Sequence, residues 1–590
     1  MRHVTRDAHA KLVVPAPLAT VTNAEVARAL LEMSLFLEMA DVEFKPRAYE
    51  KAAHAVEALE KPLRELYTVG GAKALDEIPG VGAGIVKRIV ELLETGRCHE
   101  LEQLRERTPV DVVALANVEG LGPKHIKELY DALHVRTLEE LEHAARDGRI
   151  RTLPHFGEKS EQKLLKGLAF LRESEGRRPI GSVFALALGI EARLKRLKKV
   201  QRVQVAGSLR RRKETIGDLD FLVASSDPEA IAAAFATMPE VEHVYARGPT
   251  KTLVRLRAGI DADLRVVDER NWGAALCYFT GSKAHNLALR RMAQDRGLKL
   301  NEYGLFSGER SIAGHTEESL YEALGLPWIP PELREDTGEI EAAQDGSLPE
   351  LIPYGALKGD LQVQTSWTDG VDSMEDMALA AKALGLSYIA ITDHTRDLPM
   401  ARGNDEERLL SEVDEIRRLE ARVGGIRVLA GAEVNIRRDG SLDIADEVLA
   451  KLDVVGVGIH SAFQLSREEQ TKRIIRAIEN PHVDILFHPT ARSLGRPPCD
   501  LDLEAVFTAA RRTGTALEID GHPGRLDLRD EHVRRAVALG IKLVISSDAH
   551  GVNELRYANE FGVAVARRGW ARKDDVLNTR PVDALLSALK

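Results

Sequence analysis

Apolar positions along the 590-residue chain change their period several times. From 23 to 65 they recur at helical spacing (Val26, Leu30, Leu31, Met33, Leu35, Leu37), with Asn23 placed to cap the first helix. Three punctuations follow, each leading into a helix-like run: Ile78-Pro79-Gly80-Val81-Gly82, Val118-Glu119-Gly120-Leu121-Gly122 and Leu153-Pro154-His155-Phe156-Gly157. From 181 to 268 short apolar runs (203–206, 220–224, 252–256, 263–267) alternate with helical stretches, which predicts a small α/β sheet. From about 356 onward, strand-like runs repeatedly end in a potential ligand: Tyr388 to Asp393-His394, Val428 to Glu433, Val454 to His460, Ile485 to His488, and Leu543 to Asp548-Ala549-His550. Helical stretches separate them. That alternation predicts a (β/α) barrel, whose strand ends gather at one mouth. Between the two α/β regions, Arg334 to Ser347 turns acidic and polar and predicts a linker.

The length exceeds what one hydrophobic core supports, so several domains are expected. Cys98, Cys277 and Cys499 form no Cys-x-x-Cys pair, and no run approaches the roughly 20 apolar residues of a membrane span. Residues 1–22 are polar, carry Pro15 and Pro17, and predict a flexible tail rather than a signal peptide. The expectation is a cytoplasmic protein.

Charge changes the picture only when divided along the chain. The total is −10, yet residues 151–300 hold 28 Lys plus Arg against 17 Asp plus Glu, a net of +11. Residues 331–590 hold 33 against 45, a net of −12. A basic middle is the footprint of a nucleic-acid binder. The acid lies in the carboxy half, so the mean hides two partners with different chemistry.

The chemistry concentrates first in Gly207-Ser208, followed by Asp218-Leu219-Asp220 and then Asp263. Strand alternation sends Asp218 and Asp220 to one face, and Asp263 from a neighbouring apolar run completes an oxygen cage for Mg²⁺ and substrate phosphates. Gly207 offers close backbone approach and Ser208 a hydroxyl, with Arg210, Arg211, Arg212 and Lys213 supplying positive charge. Asp-x-Asp alone is more often a solvated strand end; the ordered set of features favours the site. In the same way, a Gly-x-Gly turn before a helix leaves backbone N–H groups open to a phosphate.

This ordered string resembles the nucleotidyltransferases and, specifically, the family X DNA polymerases. Leu276-Cys277-Tyr278-Phe279-Thr280-Gly281-Ser282 and Asn301-Glu302-Tyr303-Gly304-Leu305 match that family's thumb region. The resemblance implies Asp218, Asp220 and Asp263 as catalytic ligands of Mg²⁺ or Mn²⁺, and Gly207, Ser208, Arg211 and Gly217 as triphosphate contacts. Tyr278, Phe279 and Gly281 match its sugar-facing turn, while Asn286 and Arg290 line the nascent base pair and template. The Gly-x-Gly turns resemble helix-hairpin-helix elements, implying DNA contacts at Gly80, Gly82, Gly120, Gly122 and Gly157, with His155 replacing the first glycine of the third turn. Lys45, Lys87 and Arg88 join them. Alignment puts Arg88 where some members carry a Schiff-base lysine, and because arginine stays protonated, no lyase activity by that residue is expected.

The carboxy half resembles the polymerase and histidinol phosphatase (PHP) family, which holds up to three metals, commonly Zn²⁺ or Mn²⁺, for phosphoester hydrolysis. Glu433, His460 and His488 would hold one ion, and Asp369, His394 and His550 another. The family's opening His-x-His reads Gln362-Val363-Gln364 here. Carboxamides are poor ligands beside imidazole, so an ion shared by Gln362, Gln364, Glu433 and Asp548 should bind weakly and the 3′-5′ exonuclease should be weakened. The resemblance therefore implies a flexible tail (1–22), a helical 5′-end-binding domain (23–105), helix-hairpin-helix fingers (106–180), a nucleotidyltransferase palm (181–268), a thumb (269–333), a linker (334–355) and a distorted (β/α)7 PHP barrel (356–590). Gapped or nicked DNA and dNTPs would be its partners, base excision or end-joining repair its setting, and a nucleoid-associated monomer its form. Two rivals stand beside it: a phosphoesterase tethered to DNA by a non-polymerising front half, and a non-catalytic repair scaffold.

Overall fold

The computed structural model describes residues 21–589 apart from 43, 58, 60–61, 79, 117, 119–120, 174–175 and 494–496. It divides between residues 171 and 172 into two compact units.

The first unit is helical. Its opening helix, Asn23–Met39, is capped by Thr22: the Thr22 hydroxyl accepts from Glu25 N (3.2 Å), while Glu25 Oε2 accepts from Thr22 N (2.7 Å). This reciprocal capping box satisfies two otherwise orphaned amides and replaces Asn23, the expected cap. Asn23 instead accepts from Leu63 N at 2.7 Å, tying the first helix to the start of helix Leu63–Asp76. The helical period buries Val26, Leu30, Met33 and Phe36 against Ile85, Ile89 and Leu93 and against Ile126 and Leu129. The stretches expected as two domains, 23–105 and 106–180, thus share one core up to Leu168.

The second unit opens with a five-stranded sheet of β1 (Val200–Val205), β2 (Asp218–Ser225), β3 (Val241–Arg247), β4 (Lys251–Leu256) and β5 (Asp261–Val267), ordered β1-β2-β5-β4-β3. Only the β2–β5 pair is parallel. Edge strand β3 escapes sequence reasoning because six of its seven residues are exposed and leave no apolar alternation. Along β2, Leu219, Phe221 and Val223 enter the core, while Leu222 and Ala224 on the opposite face lie under Trp272, Ala275 and Leu276. Only the start of that second face, at Asp218 and Asp220, stays open.

Seven parallel strands form the carboxy-terminal barrel: β6 (Gly359–Val363), β7 (Tyr388–Ile391), β8 (Arg427–Asn435), β9 (Val454–Gly458), β10 (Ile485–Leu486), β11 (Ala516–Asp520) and β12 (Leu543–Ser546). They pair in chain order, and Gln364 N donates to Ala549 O at 2.8 Å where the first strand meets the last.

Sheet and barrel do not have separate cores. One cluster runs from Ile180, Phe184 and Leu219 to Leu486, Ile519 and Val563, with Phe184 and Phe561 edge to face at 5.3 Å. The expected linker is also part of the packing. Residues 339–345 form a helix, Arg334 and Glu339 are fully buried, and Glu339 accepts from Asp336 N and Thr337 N and lies 2.6 Å from His285 Nδ1. Composition misled here because Glu335 and Glu339 are paired rather than solvated, although Asp336, Glu341 and Asp345 are exposed. Among the described residues no helix is long and apolar enough to cross a membrane.

Candidate functional site

Parallel pairing of β2 with β5 sets Asp218 opposite Asp261 and Asp220 opposite Asp263. Asp218, Asp220 and Asp263 therefore share one face at one end of the sheet. Burial, then repulsion from Asp218 and Asp263, pushes the Asp220 carboxyl up to about 7, and burial with Asp263 raises Asp218 as well. Both shifts mark a site where like charges crowd together short of positive charge. The nearest cations, Arg265 (3.2 Å) and Lys251 (3.7 Å), approach Asp263. Asp263 Oδ1 is buried without a hydrogen-bond partner. This oxygen-only set fits divalent magnesium or manganese.

Gly207 lies directly above Asp220. Its φ is +59°, and a Cβ there would fall 1.9 Å from Asp220 Oδ2, so only glycine lets the backbone approach this carboxylate. The Ser208 hydroxyl is buried with no partner, an unusual state for a polar atom unless a ligand meets it. Arg211 donates to Thr280 O (2.5 Å) and to Glu335 (3.0 Å), which brings it within 3.1 Å of where a Gly281 Cβ would sit. Gly217 directly precedes β2, beside Arg177. Tyr278 and Phe279 meet edge to face at 5.0 Å, Arg290 covers Tyr278, and Asn286 donates to Tyr278 O at 2.7 Å. The basic cluster is less available than its composition promised. Arg210 is held by Glu317 (2.7 and 2.8 Å), Arg212 stacks on Phe184 and Tyr354, and Lys213 faces Glu335 at 3.9 Å. Arg210 and Arg211 both reach Thr280 in the 278–281 turn, at 2.6 and 2.5 Å, but Arg210 is doubly committed to Glu317.

At the barrel mouth, Glu433 Oε1 lies 2.7 Å from both His460 Nε2 and His488 Nε2. The Asn435 carboxamide donates to Thr395 O and Asp443, so its oxygen must face His460 Nδ1 at 2.7 Å. Nδ1 then carries the proton and Nε2 is left to coordinate. A Cβ on Gly458 would fall 2.7 Å from the Cε1 of both imidazoles, so glycine makes room for the pair. Burial favours the neutral form of Glu433, yet His394, His460 and His488 outweigh it and hold the carboxyl well below its usual range. Burial and the charge of Arg525 lower His488.

The ligand atoms of Asp369, His394 and His550 all lie within 4.8 Å of one another, as do those of His394, Glu433 and His460. His394 stands between the two groups, 3.6 Å from Asp369 and 3.6 Å from Glu433. His488 and Asp548 carry left-handed backbone (φ +28° and +52°) although neither is glycine, a strain typical of functional positions. Gln362 and Gln364 donate to Glu433 Oε2 at 3.1 and 2.8 Å, and Asp548 faces Arg525 at 3.0 Å. These residues fit a cation poorly: amide hydrogens face Glu433 Oε2 and a guanidinium faces Asp548, which leaves only the weakly ligating Gln362 and Gln364 carbonyl oxygens buried without a partner. Sequence reasoning missed Asn435, Arg525 and Asp520. Asp520 ends β11 as the other ligands end their strands, so the same strand-end pattern finds it.

In the helical unit, Gly82 and Gly122 cap helices Ala83–Thr95 and Pro123–Leu133 with no side-chain cap, and Gly157 precedes helix Glu158–Glu173. All three glycines are exposed and a Cβ at any of them would meet nothing, so a ligand can approach the backbone there. Gly80 has φ +81°, and His155, its counterpart in the third turn, adopts a similar +64°. Gly120 lies outside the described residues. Lys45 and Lys87 are exposed, whereas Arg88 is half-buried and bound to Glu100 (Nε to Oε2, 2.6 Å), which commits it to the fold rather than to a phosphate.

Family models for a helix-hairpin-helix domain (21–98), a SAM-like helix-hairpin-helix tandem (112–169), the DNA polymerase beta thumb (275–335) and the PHP domain (360–551) match the chain. The DNA polymerase/3'-5' exonuclease PolX of Bacillus subtilis (strain 168) is 37% identical over 572 residues, 96% of this chain and 99% of that protein. The barrel alone is similar to probable phosphatases of Thermoanaerobacter sp. (strain X514), 31% identical over 35% of this chain and 84% of the relative, and of Shewanella sediminis, 33% identical over 38% and 89%.

Proposed function

Because the chain belongs to the bacterial-type family X DNA polymerases that carry a PHP domain, we propose that it extends DNA primers across short gaps from dNTPs at Asp218, Asp220 and Asp263. The observation that carries this is the β2–β5 register, which sets Asp220 beside Asp263 and Asp218 on the same face. Magnesium or manganese held there supplies Lewis acidity for in-line phosphoryl displacement. The residues do the rest. Gly207 lets the triphosphate approach, and the Ser208 hydroxyl and the Arg211 guanidinium donate to its oxygens. Tyr278, Phe279 and Gly281 face the sugar, with Asn286 and Arg290 at the nascent pair. Asp263, beside Asp220, is placed to accept the proton of the primer 3′ hydroxyl. Gapped or nicked DNA is gripped through backbone amides at Gly80, Gly82, Gly122 and Gly157, with Lys45 and Lys87 adding charge.

The barrel is a metal-dependent phosphoesterase centre. Glu433, His460 and His488 would hold one of its ions, zinc or manganese, and Asp369, His394 and His550 another. Its 3'-5' exonuclease activity is weak because the Gln362 and Gln364 side does not fit a third. A 5′-deoxyribose-phosphate lyase through Arg88 is not part of the reading, and work on DNA inside the cell, as a monomer, is.

The deciding assay is extension across a one-nucleotide gap by the purified chain, beside an Asp218→Ala/Asp220→Ala variant. Extension that disappears in the variant supports the polymerase. Extension by neither protein rejects it in favour of a DNA-tethered phosphoesterase.

A further inference from the structure

The two sides of the barrel mouth differ electrically. On one side the nitrogens are imidazoles, which can turn a lone pair to an ion: His460 and His488 lie 2.7 Å from Glu433 Oε1, and His394 stands between Asp369 and Glu433. On the other, the acceptors already face nitrogen: Gln362 and Gln364 amides point at Glu433 Oε2, and Arg525 Nε lies 3.0 Å from Asp548 Oδ2 and 3.6 Å from Asp520 Oδ2. A guanidinium keeps its charge at any accessible pH. Its charge also reaches Glu433, so it bears on the centre as a whole.

Arg525 is not a loose surface side chain that happens to fall there. It sits in the 521–529 loop after β11, and that loop is fixed at several points. Pro523 packs so closely on Gly181 that a Cβ there would lie 2.5 Å away, Asp527 accepts from Thr490 N at 2.9 Å, and Arg529 lies 3.3 Å from Glu214. The positive charge is therefore delivered to Asp520 and Asp548 by the fold.

We propose that the Arg525 guanidinium is the resident cation of the Asp520–Asp548 side, taking the place of a metal ion, so that the barrel mouth binds two divalent ions rather than three. This deepens the reading of the mouth as a metal centre and rests on it. Weak glutamine ligands alone would leave a site that fills at high Mn²⁺ concentration. A fixed positive charge beside the carboxylates opposes filling even when good ligands are restored.

The test measures Mn²⁺ bound per chain, by elemental analysis and calorimetric titration, in an Asp218→Ala/Asp220→Ala background so that the polymerase triad contributes little. Two bound ions are expected. Gln362→His/Gln364→His restores imidazoles, and with Arg525 in place the extra ion should still bind poorly. Adding Arg525→Met, or Arg525→Gln should the first not fold, is expected to tighten that ion by about tenfold or more. Arg525→Lys, which keeps the charge, should bind it as poorly as the arginine does. Three tight ions in the starting protein, or equal affinity with and without Arg525, would overturn the proposal. No bound ion at all would remove the metal-centre reading itself, and this proposal with it.

Discussion

A methyl group at residue 207 would collide with the carboxylate beneath it, since the ideal Cβ position is 1.9 Å from Asp220 Oδ2. Gly207→Ala must push Asp220 aside or lift the loop. A shift of about 1 Å in a reacting group costs on the order of 100-fold in rate, so gap extension should fall by about that factor while circular dichroism and DNA binding stay unchanged. In the barrel the corresponding residue is Gly458. Gly458→Ala would wedge His460 from His488, and we expect Mn²⁺ per chain to drop by one with primer extension retained; unchanged metal content would show that the imidazoles can move apart without loss. Such glycines are only half legible in a sequence. Gly207 stands out because Ser208 and the acidic pair follow it, but His460 two residues on does not mark Gly458, because the second imidazole that needs the room arrives from residue 488.

At the scale of elements, the short helix Glu317–Ala323 is held by a buried trio in which Glu317 binds Arg210 twice and Arg334 once, at 2.6 to 2.8 Å. Burial disfavours the Glu317 carboxylate, but the two guanidinium groups outweigh it and hold its pKa well below the usual range. A depressed folded-state pKa stabilises above the unfolded value of about 4.3, and that stabilisation drains away as pH falls toward the folded value. Glu317→Gln should therefore cost about 3–5 kcal/mol at pH 7, the range for breaking a buried pair, and progressively less below about pH 4. Denaturant titrations at both pH values check it, and a pH-independent difference would assign the cost to packing instead. Strands β7, β8, β9, β10 and β12 of the barrel are legible because each is an apolar, buried run that leads into a ligand type. Edge strand β3, exposed along most of its length, gives no such pattern. The helix at 339–345 reads as a linker for the opposite reason: Glu339 looks solvated until its partners Asp336 N, Thr337 N and His285 are known.

At the scale of the molecule, the polymerase sheet and the barrel are joined by polar as well as apolar contacts. Arg568 donates to Arg211 O at 3.0 Å and meets Glu335 at 3.2 Å, the carboxylate that also holds the Arg211 side chain. Arg568→Gln should raise the KM for dNTP by about fivefold, the worth of roughly one hydrogen bond, with kcat and barrel metal content little changed. An unchanged KM would mean that Arg211 holds its place without help from the barrel. Contacts of this kind are invisible to a sequence because they join residues hundreds of positions apart, whereas the charge imbalance between the halves is visible at once.

The pairing of Glu214 with Arg492 (2.8 Å) and Arg529 (3.3 Å), beside the close fit of Pro523 on Gly181, has a consequence for interchange between proteins. A barrel grafted from a free-standing phosphatase would have to bring two arginines and a proline to the same seats. Without them the graft would leave Glu214 without counter-charge and a gap over residue 181, so these halves can be inherited together far more readily than they can be traded.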